Sequence, residues 1–209
     1  MKSGRITAVH RDTKNKHRYH FYIEDELVFS VHEDILIKYQ LVKGMEVDER
    51  LTQEVLLAEE EHRAYLLALR YLGIRPRTSK QILVYLQEKG YSREVAENIV
   101  ERCRQMGYLD DQAFAQQWVN ERIRLKQRSP LMLRMELQQR GIDKETAEDV
   151  MSTVTREDEL KAARVLVEKK LRRYTGELER EDEQKLLAML YRKGFSSSVI
   201  QAIRQELRK

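Results

Sequence analysis

The sequence predicts a mainly α protein: three tandem three-helix repeats preceded by a small N-terminal antiparallel β segment. Three observations carry that expectation. The phrases Leu86-x-x-x-Gly90-Tyr91, Leu137-x-x-x-Gly141-Ile142 and Leu190-x-x-x-Gly194-Phe195 recur 51 and 53 residues apart, as a helical unit used three times would. Each reads as a helix stop. Glycine takes the left-handed position just past the helix, and the apolar residue after it packs back on the leucine at the third-last helical position. Second, apolar positions from about Leu51 onward follow helical spacing, with only two prolines in all 209 residues. Third, residues 4–31 alternate with period two instead, as strands do.

Residues 1–50 are expected to form a β-meander with a short helix. Ile6, Ala8 and Val9, then Tyr19, Phe21 and Ile23, then Leu27, Phe29 and Val31 mark three strands. Asp12 to His17 and Asp25-Glu26 supply the turns, with a short helix near Glu33–Tyr39 and a turn at Lys43-Gly44. Three strands alone are marginal, so the meander should lean on the helices beyond it.

The first repeat, 51–108, opens with a helix near Glu54–Leu72 that ends at Gly73-Ile74. Pro76 marks a loop, and Thr78 with Gln81 has capping-box spacing for the second helix, which stops at Gly90. Ser92 caps a third helix with Val95, Ile99, Cys103 and Met106 on one face. In the second repeat, 109–155, Asp110 is the N-cap of a helix carrying Phe114, Ala115, Trp118, Val119 and Ile123. Ser129-Pro130 starts the next helix, proline at the first helical position, and Asp143 caps the third. The third repeat, 156–209, has helices from about Glu157 to Arg173, then up to Gly194, then from Ser196–Ser198 onward, with a looser link at Tyr174–Gly176.

Composition narrows the class. Charged residues make up 35% and hydrophobic residues 41% of the chain, which suits a helical array with much surface per residue. Lys plus Arg is 39 and Asp plus Glu is 35, a net charge of only +4. Local clusters must therefore decide any affinity for nucleic acid. The one cysteine, Cys103, falls on an apolar helix face and reads as a buried thiol. No apolar leader and no stretch long enough for a membrane span is present, so a soluble cytoplasmic protein without membrane contact is expected.

Catalytic patterns are absent: there is no phosphate-binding glycine loop, no Gly-x-Ser-x-Gly elbow and no His-Glu-x-x-His. The residues give no enzyme and no cofactor. Glu59-x-x-His62 has the helical spacing of a carboxylate-bridged metal pair, but such sites need a second copy, so a surface pair is expected. His10, His17, His20 and His32 sit in or near the strand region and could approach a metal, but a solvated sheet face is the expectation. Asp110-Asp111 could suggest paired carboxylates, but their place before a helix points to capping.

The basic clusters are more informative. Arg122, Arg124, Lys126, Arg128 and Arg134 fall within thirteen residues, and only Glu121 offsets them until Glu136. Lys169, Lys170, Arg172 and Arg173 form a second cluster at a helix end, and Arg75 and Arg77 flank Pro76. Cations at helix C-termini complement the dipole. The functional alternative is contact with nucleic-acid phosphate or an acidic protein groove. Arg122 and Lys126, four apart, share a helix face, and Arg124 points elsewhere. Trp118 reads as core rather than as a platform for a base.

Gly107-Tyr-Leu-Asp-Asp-Gln-Ala-Phe-Ala115, Trp118-Val-x-x-Arg122 and Leu133-x-x-Glu136-Leu137-x-x-Arg140-Gly141-Ile142 together resemble the central signature of the RecX regulatory proteins. Arg75-x-Arg77-Thr-Ser79 is similar to the family's Arg-x-Arg-Ser segment, and the resemblance covers roughly residues 58–209. The strand segment looks like an extension found in part of the family. Where the family often has glycine, Ser129-Pro130 stands, itself a legitimate helix start. The resemblance implies an elongated, curved array of three-helix repeats. It also implies a monomer that binds the RecA–DNA filament, with single- or double-stranded DNA a weak partner alone. Such proteins limit the recombinase, ATPase and coprotease activities of RecA in recombination, DNA repair and the SOS response. From the residues alone, a direct DNA-binding protein with helix-turn-helix-like modules stays open.

Overall fold

The computed structural model describes residues 3–172 and 179–208, so Arg173 and the predicted link at Tyr174–Gly176 lie outside the described residues. Five short strands and ten helices are present among the described residues. The strands are β1 (Gly4–Arg5), β2 (Ala8–Arg11), β3 (Arg18–Ile23), β4 (Glu26–His32) and β5 (Glu46–Val47). The helices are α1 (Glu33–Lys38), α2 (Glu49–Leu72), α3 (Ser79–Glu88), α4 (Arg93–Gln105), α5 (Asp111–Lys126), α6 (Pro130–Gln139), α7 (Lys144–Ser152), α8 (Arg156–Leu171), α9 (Arg180–Arg192) and α10 (Ser197–Leu207). The chain divides into two compact units, Met1–Arg75 with Tyr85–Arg102, and Pro76–Val84 with Cys103–Lys209.

In the first unit, β2, β3 and β4 form the expected antiparallel meander. Val9 lies opposite Phe21, and Phe21 opposite Phe29, whose rings stack 4.9 Å apart. Alternation sends these side chains to one face. There they meet Ile35 of α1 and Val55 and Ala58 of α2 in a single core cluster, so the marginal sheet does lean on helices. The hairpin turn is Glu24-Asp25, one residue earlier than Asp25-Glu26. Both residues have positive φ, 48° and 63°, as a two-residue turn that follows strand twist requires. The pair β1–β5 gave no sequence signal, because two residues cannot show a period. Helix α2 begins at Glu49 rather than near Glu54, since the Asp48 carboxylate caps it by accepting the Leu51 N–H at 2.7 Å.

The three glycine stops close as Schellman motifs. Tyr91 N–H reaches Leu86 O at 3.2 Å, Ile142 N–H reaches Leu137 O at 3.1 Å and Phe195 N–H reaches Leu190 O at 3.2 Å. Each glycine donates to the carbonyl three residues back at 2.9 Å, with φ of 90°, 81° and 79°. Leu86, Leu137 and Leu190 are all fully buried. The caps fall where the sequence placed them: Thr78 and Gln81 close a reciprocal box, and Ser92, Asp110, Ser129, Asp143 and Ser196 each accept the N–H three residues on. Thr155 with Asp158 forms a further capping box at the start of α8.

Within the second unit, two cores hold the helices. Ala115 and Val119 of α5 pack with Leu133 and Leu137 of α6 and Val150 of α7. Ala163 and Val167 of α8 pack with Leu186 and Leu190 of α9 and Val199 and Ile203 of α10. The same joint appears twice between successive helical groups. Thr78 Oγ1 donates to Arg140 O at 2.7 Å, and Ser129 Oγ donates to Lys193 O at 2.5 Å. In each case the cap hydroxyl at the start of one helix meets the residue just before the glycine stop of the following repeat. The glycine that follows faces a side chain two residues past that cap: a Cβ on Gly141 would sit 2.4 Å from Lys80 Cβ, and one on Gly194 would sit 2.7 Å from Leu131 Cβ. A Cβ on Gly90 would meet nothing within 4 Å.

Candidate functional site

The segments that carried the resemblance converge in the second unit, and they converge on each other. Asp110 caps α5, while Asp111 accepts the Ser79 N–H at 2.9 Å and lies 3.8 Å from Arg104. Arg104 Nε in turn donates to Ser79 Oγ at 3.1 Å. Asp111 therefore does more than capping. It fastens the Arg77-Thr78-Ser79 segment, whose Thr78 is already bonded to Arg140 O. Arg77 is buried, so it does not stand on the surface as its place beside Pro76 suggested; Arg75 is exposed.

Glu136 organises the next layer. Its carboxylate accepts the Trp118 Nε1–H at 3.0 Å and lies 3.3 Å from Arg122 Nε and 2.8 Å from Arg128 Nε. The guanidinium groups of Arg122 and Arg140 sit 3.9 and 3.6 Å from the Trp118 ring centroid. Trp118 is half-buried, stacks on Phe114 at 5.9 Å and packs against the core, as expected of it. With two cations on the ring, attraction to its quadrupole holds this cluster together. The consequence corrects the sequence reading: Arg122 does not share an open face with Lys126 but turns inward, with its side chain only 20% exposed. Arg128 is also engaged, and Arg134 makes a bidentate pair with Glu148 at 2.9 and 3.2 Å. That pairing holds the Glu148 carboxyl below its ordinary pKa.

What remains open to a partner is different. Arg124 and Lys126 are exposed at the end of α5, and neither makes an ion pair among the described residues. Arg124 borders a shallow groove lined by Ala113, Gln116, Gln117, Asn120 and Glu121. Lys169, Lys170 and Arg172 are exposed at the end of α8. Lys169 Nζ donates to Gln127 Oε1 at 2.9 Å, which joins the two helix ends. The ends of α5 and α8, whose exposed basic residues lie more than forty positions apart in sequence, are thus joined at Gln127 and Lys169. Gln127 makes this possible by taking the left-handed conformation, φ 50°, that stops α5.

Glu59 and His62 are not a surface pair. Both are buried. Glu59 binds Arg18 Nη1 at 2.8 Å and accepts the His32 N–H at 2.7 Å, tying the sheet to α2. Burial, and then the neighbouring His32, hold the His62 imidazole below its ordinary pKa. The other histidines divide: His10 and His17 are exposed, whereas His20 is half-buried between Asp12 at 2.9 Å and Ser30 at 2.6 Å. Cys103 is a fully buried thiol, as its helical position implied. No helix among the described residues is long and apolar enough to cross a membrane.

Fold and site together define a helical-repeat protein with a small β segment and exposed basic residues at the joined ends of two helices. Profiles of known families identify the kind. Those described as the first, second and third three-helix domains of RecX match residues 64–103, 110–151 and 157–203, and that of the regulatory protein RecX N-terminal domain matches residues 4–48. Regulatory protein RecX of Limosilactobacillus reuteri (strain DSM 20016) is 35% identical over 194 residues, spanning 93% of this chain and 74% of that protein. Regulatory protein RecX of Bacillus subtilis (strain 168) is 32% identical over 202 residues, spanning 97% of this chain and 76% of that protein. A crystal structure of regulatory protein RecX superposes with a TM-score of 0.83 at 33% identity, covering 97% of this chain and 99% of the other. RecX from Lactobacillus salivarius gives 0.67 at 26% identity, covering 72% and 98%. The chain belongs to the RecX family of regulatory proteins.

Proposed function

We propose that this chain binds the RecA–DNA filament and restrains its recombinase, ATPase and coprotease activities, acting in the cytoplasm in DNA repair and recombination. The observation that carries this reading beyond the family is the exposure of Arg124, Lys126, Lys169, Lys170 and Arg172 at the ends of α5 and α8, two ends that Lys169 and Gln127 join. A filament of protein on DNA offers acidic side chains and phosphates along one path. Unpaired surface cations answer both, whereas cations already paired within the fold answer neither. The reaction needs no catalytic group from this chain, because occupying a filament is itself regulation.

Charge reversal separates the exposed residues from the engaged ones. The double variant Arg124→Glu/Lys126→Glu is expected to keep full helicity and the wild-type unfolding midpoint while its affinity for RecA filaments falls at least about tenfold. Five or so phosphate contacts on naked DNA would produce a steep salt dependence. Tight, salt-sensitive binding to DNA without RecA, lost in the same variant, would instead favour direct DNA binding. Filament affinity unchanged in the variant would remove these residues from the interface.

A further inference from the structure

Away from the basic residues, one cluster among the described residues brings three metal-ligating side chains together. His62 projects from α2, and its Nε2 is buried without a hydrogen-bond partner. It lies 3.4 Å from Asp34 Oδ2, in the first turn of α1. The same carboxylate is 3.5 Å from Nδ1 of His32, the residue that ends β4 and caps α1. The two imidazole rings are 4.5 Å apart, and one ligand atom from each of the three residues falls within 4.8 Å of the others.

We propose that His32, Asp34 and His62 form a binding site for one zinc-class divalent transition-metal ion, fastening the β4–α1 corner to α2. The distances carry the assignment. Zinc bonds to imidazole nitrogen and carboxylate oxygen are about 2.0–2.1 Å, so the edges of a tetrahedral site are roughly 3.3–3.4 Å. The Asp34–His62 and Asp34–His32 separations already stand close to that edge length, and only the His32–His62 edge must draw in. Two imidazoles and a carboxylate suit zinc and its neighbours rather than calcium or magnesium, which prefer oxygen throughout. The Asp34 side chain is 59% exposed, giving the ion an entry and a water the fourth position. A buried imidazole nitrogen without a partner is costly, and coordination relieves it.

The surroundings are arranged to hold the ligands. Glu59 accepts the His32 N–H at 2.7 Å and so fixes the backbone of one ligand. Engaged also with Arg18, Glu59 is not itself a ligand, which is why the Glu59-x-x-His62 spacing needs no second copy. His32 Nδ1 accepts the Asp34 N–H at a long 3.2 Å, a bond that an ion on Nδ1 would replace.

Untagged full-length protein, stripped with chelator, is titrated calorimetrically with zinc chloride, and Co2+ serves as a spectroscopic reporter of tetrahedral geometry. The expected result is one zinc per chain, a raised unfolding midpoint, and the visible absorption of tetrahedral Co2+. Asp34→Asn, at an exposed position that leaves the core intact, should weaken zinc at least about tenfold, as should His62→Gln, while His10→Gln should change nothing. Failure to bind zinc, or binding equally tight in Asp34→Asn and His62→Gln, overturns the site.

Discussion

Gly141→Ala is expected to destabilise the second unit severely, by about 2–5 kcal/mol, whereas Gly90→Ala should cost only about 1–2 kcal/mol. Both glycines stop helices with positive φ, so both substitutions carry the strain of a left-handed residue. Only at Gly141 does the new methyl also collide with another helix. It would stand 2.4 Å from Lys80 Cβ and 2.2 Å from its Cδ. A Cβ cannot swing away as the end of a lysine can, so α3 and the α6–α7 turn must separate, stretching the bond from Thr78 to Arg140 O. Gly194→Ala should behave like Gly141→Ala through Leu131. Thermal unfolding of the three variants followed by circular dichroism tests this. Equal losses at Gly90 and Gly141 would show that the joint contributes nothing beyond the helix stop.

Glu59→Ala should be the most damaging single change in the first unit. It removes the partner of Arg18, whose side chain is 28% exposed, and leaves the His32 N–H without its acceptor. Breaking a buried pair by deleting one member costs about 3–5 kcal/mol when the survivor cannot reach water. Partial exposure of Arg18 lowers that to about 2–4 kcal/mol. Glu59→Gln keeps an acceptor oxygen and should lose about half as much. Chemical unfolding of both variants, with hydrogen exchange at residues 18–32, measures the effect. If Glu59→Ala unfolds at the wild-type midpoint, the sheet does not depend on this anchor for its place on α2.

Much of this architecture was legible in the sequence, because the signals are local. A glycine stop, a capping serine and a period-two strand are each settled within about six residues, and all three repeats announce themselves through Gly90, Gly141 and Gly194. The strands β1 and β5 were not legible, being too short to show a pattern. What was least legible is which charge meets which. Arg122 and Arg124 are near-identical in the sequence, yet one faces Glu136 and Trp118 and the other faces solvent. The sign that separates them is Glu136, three residues before Gln139 on another helix, and no spacing rule links it to Trp118. Likewise the buried Glu59 and His62 look like any surface pair until β4 is laid over α2. Two of the glycine stops gained a second meaning from the structure: Gly141 and Gly194 end helices and also make room for a side chain of the preceding repeat.

The regulatory role stands or falls on RecA itself. The direct measurement is DNA-dependent ATP hydrolysis by preformed RecA filaments, with filament length imaged on the same samples, as this protein is added to several-fold excess. The expected result is a progressive fall in ATPase rate with shorter or fewer filaments, and a markedly weaker effect from Arg124→Glu/Lys126→Glu. An unchanged rate together with unchanged filament length would contradict it.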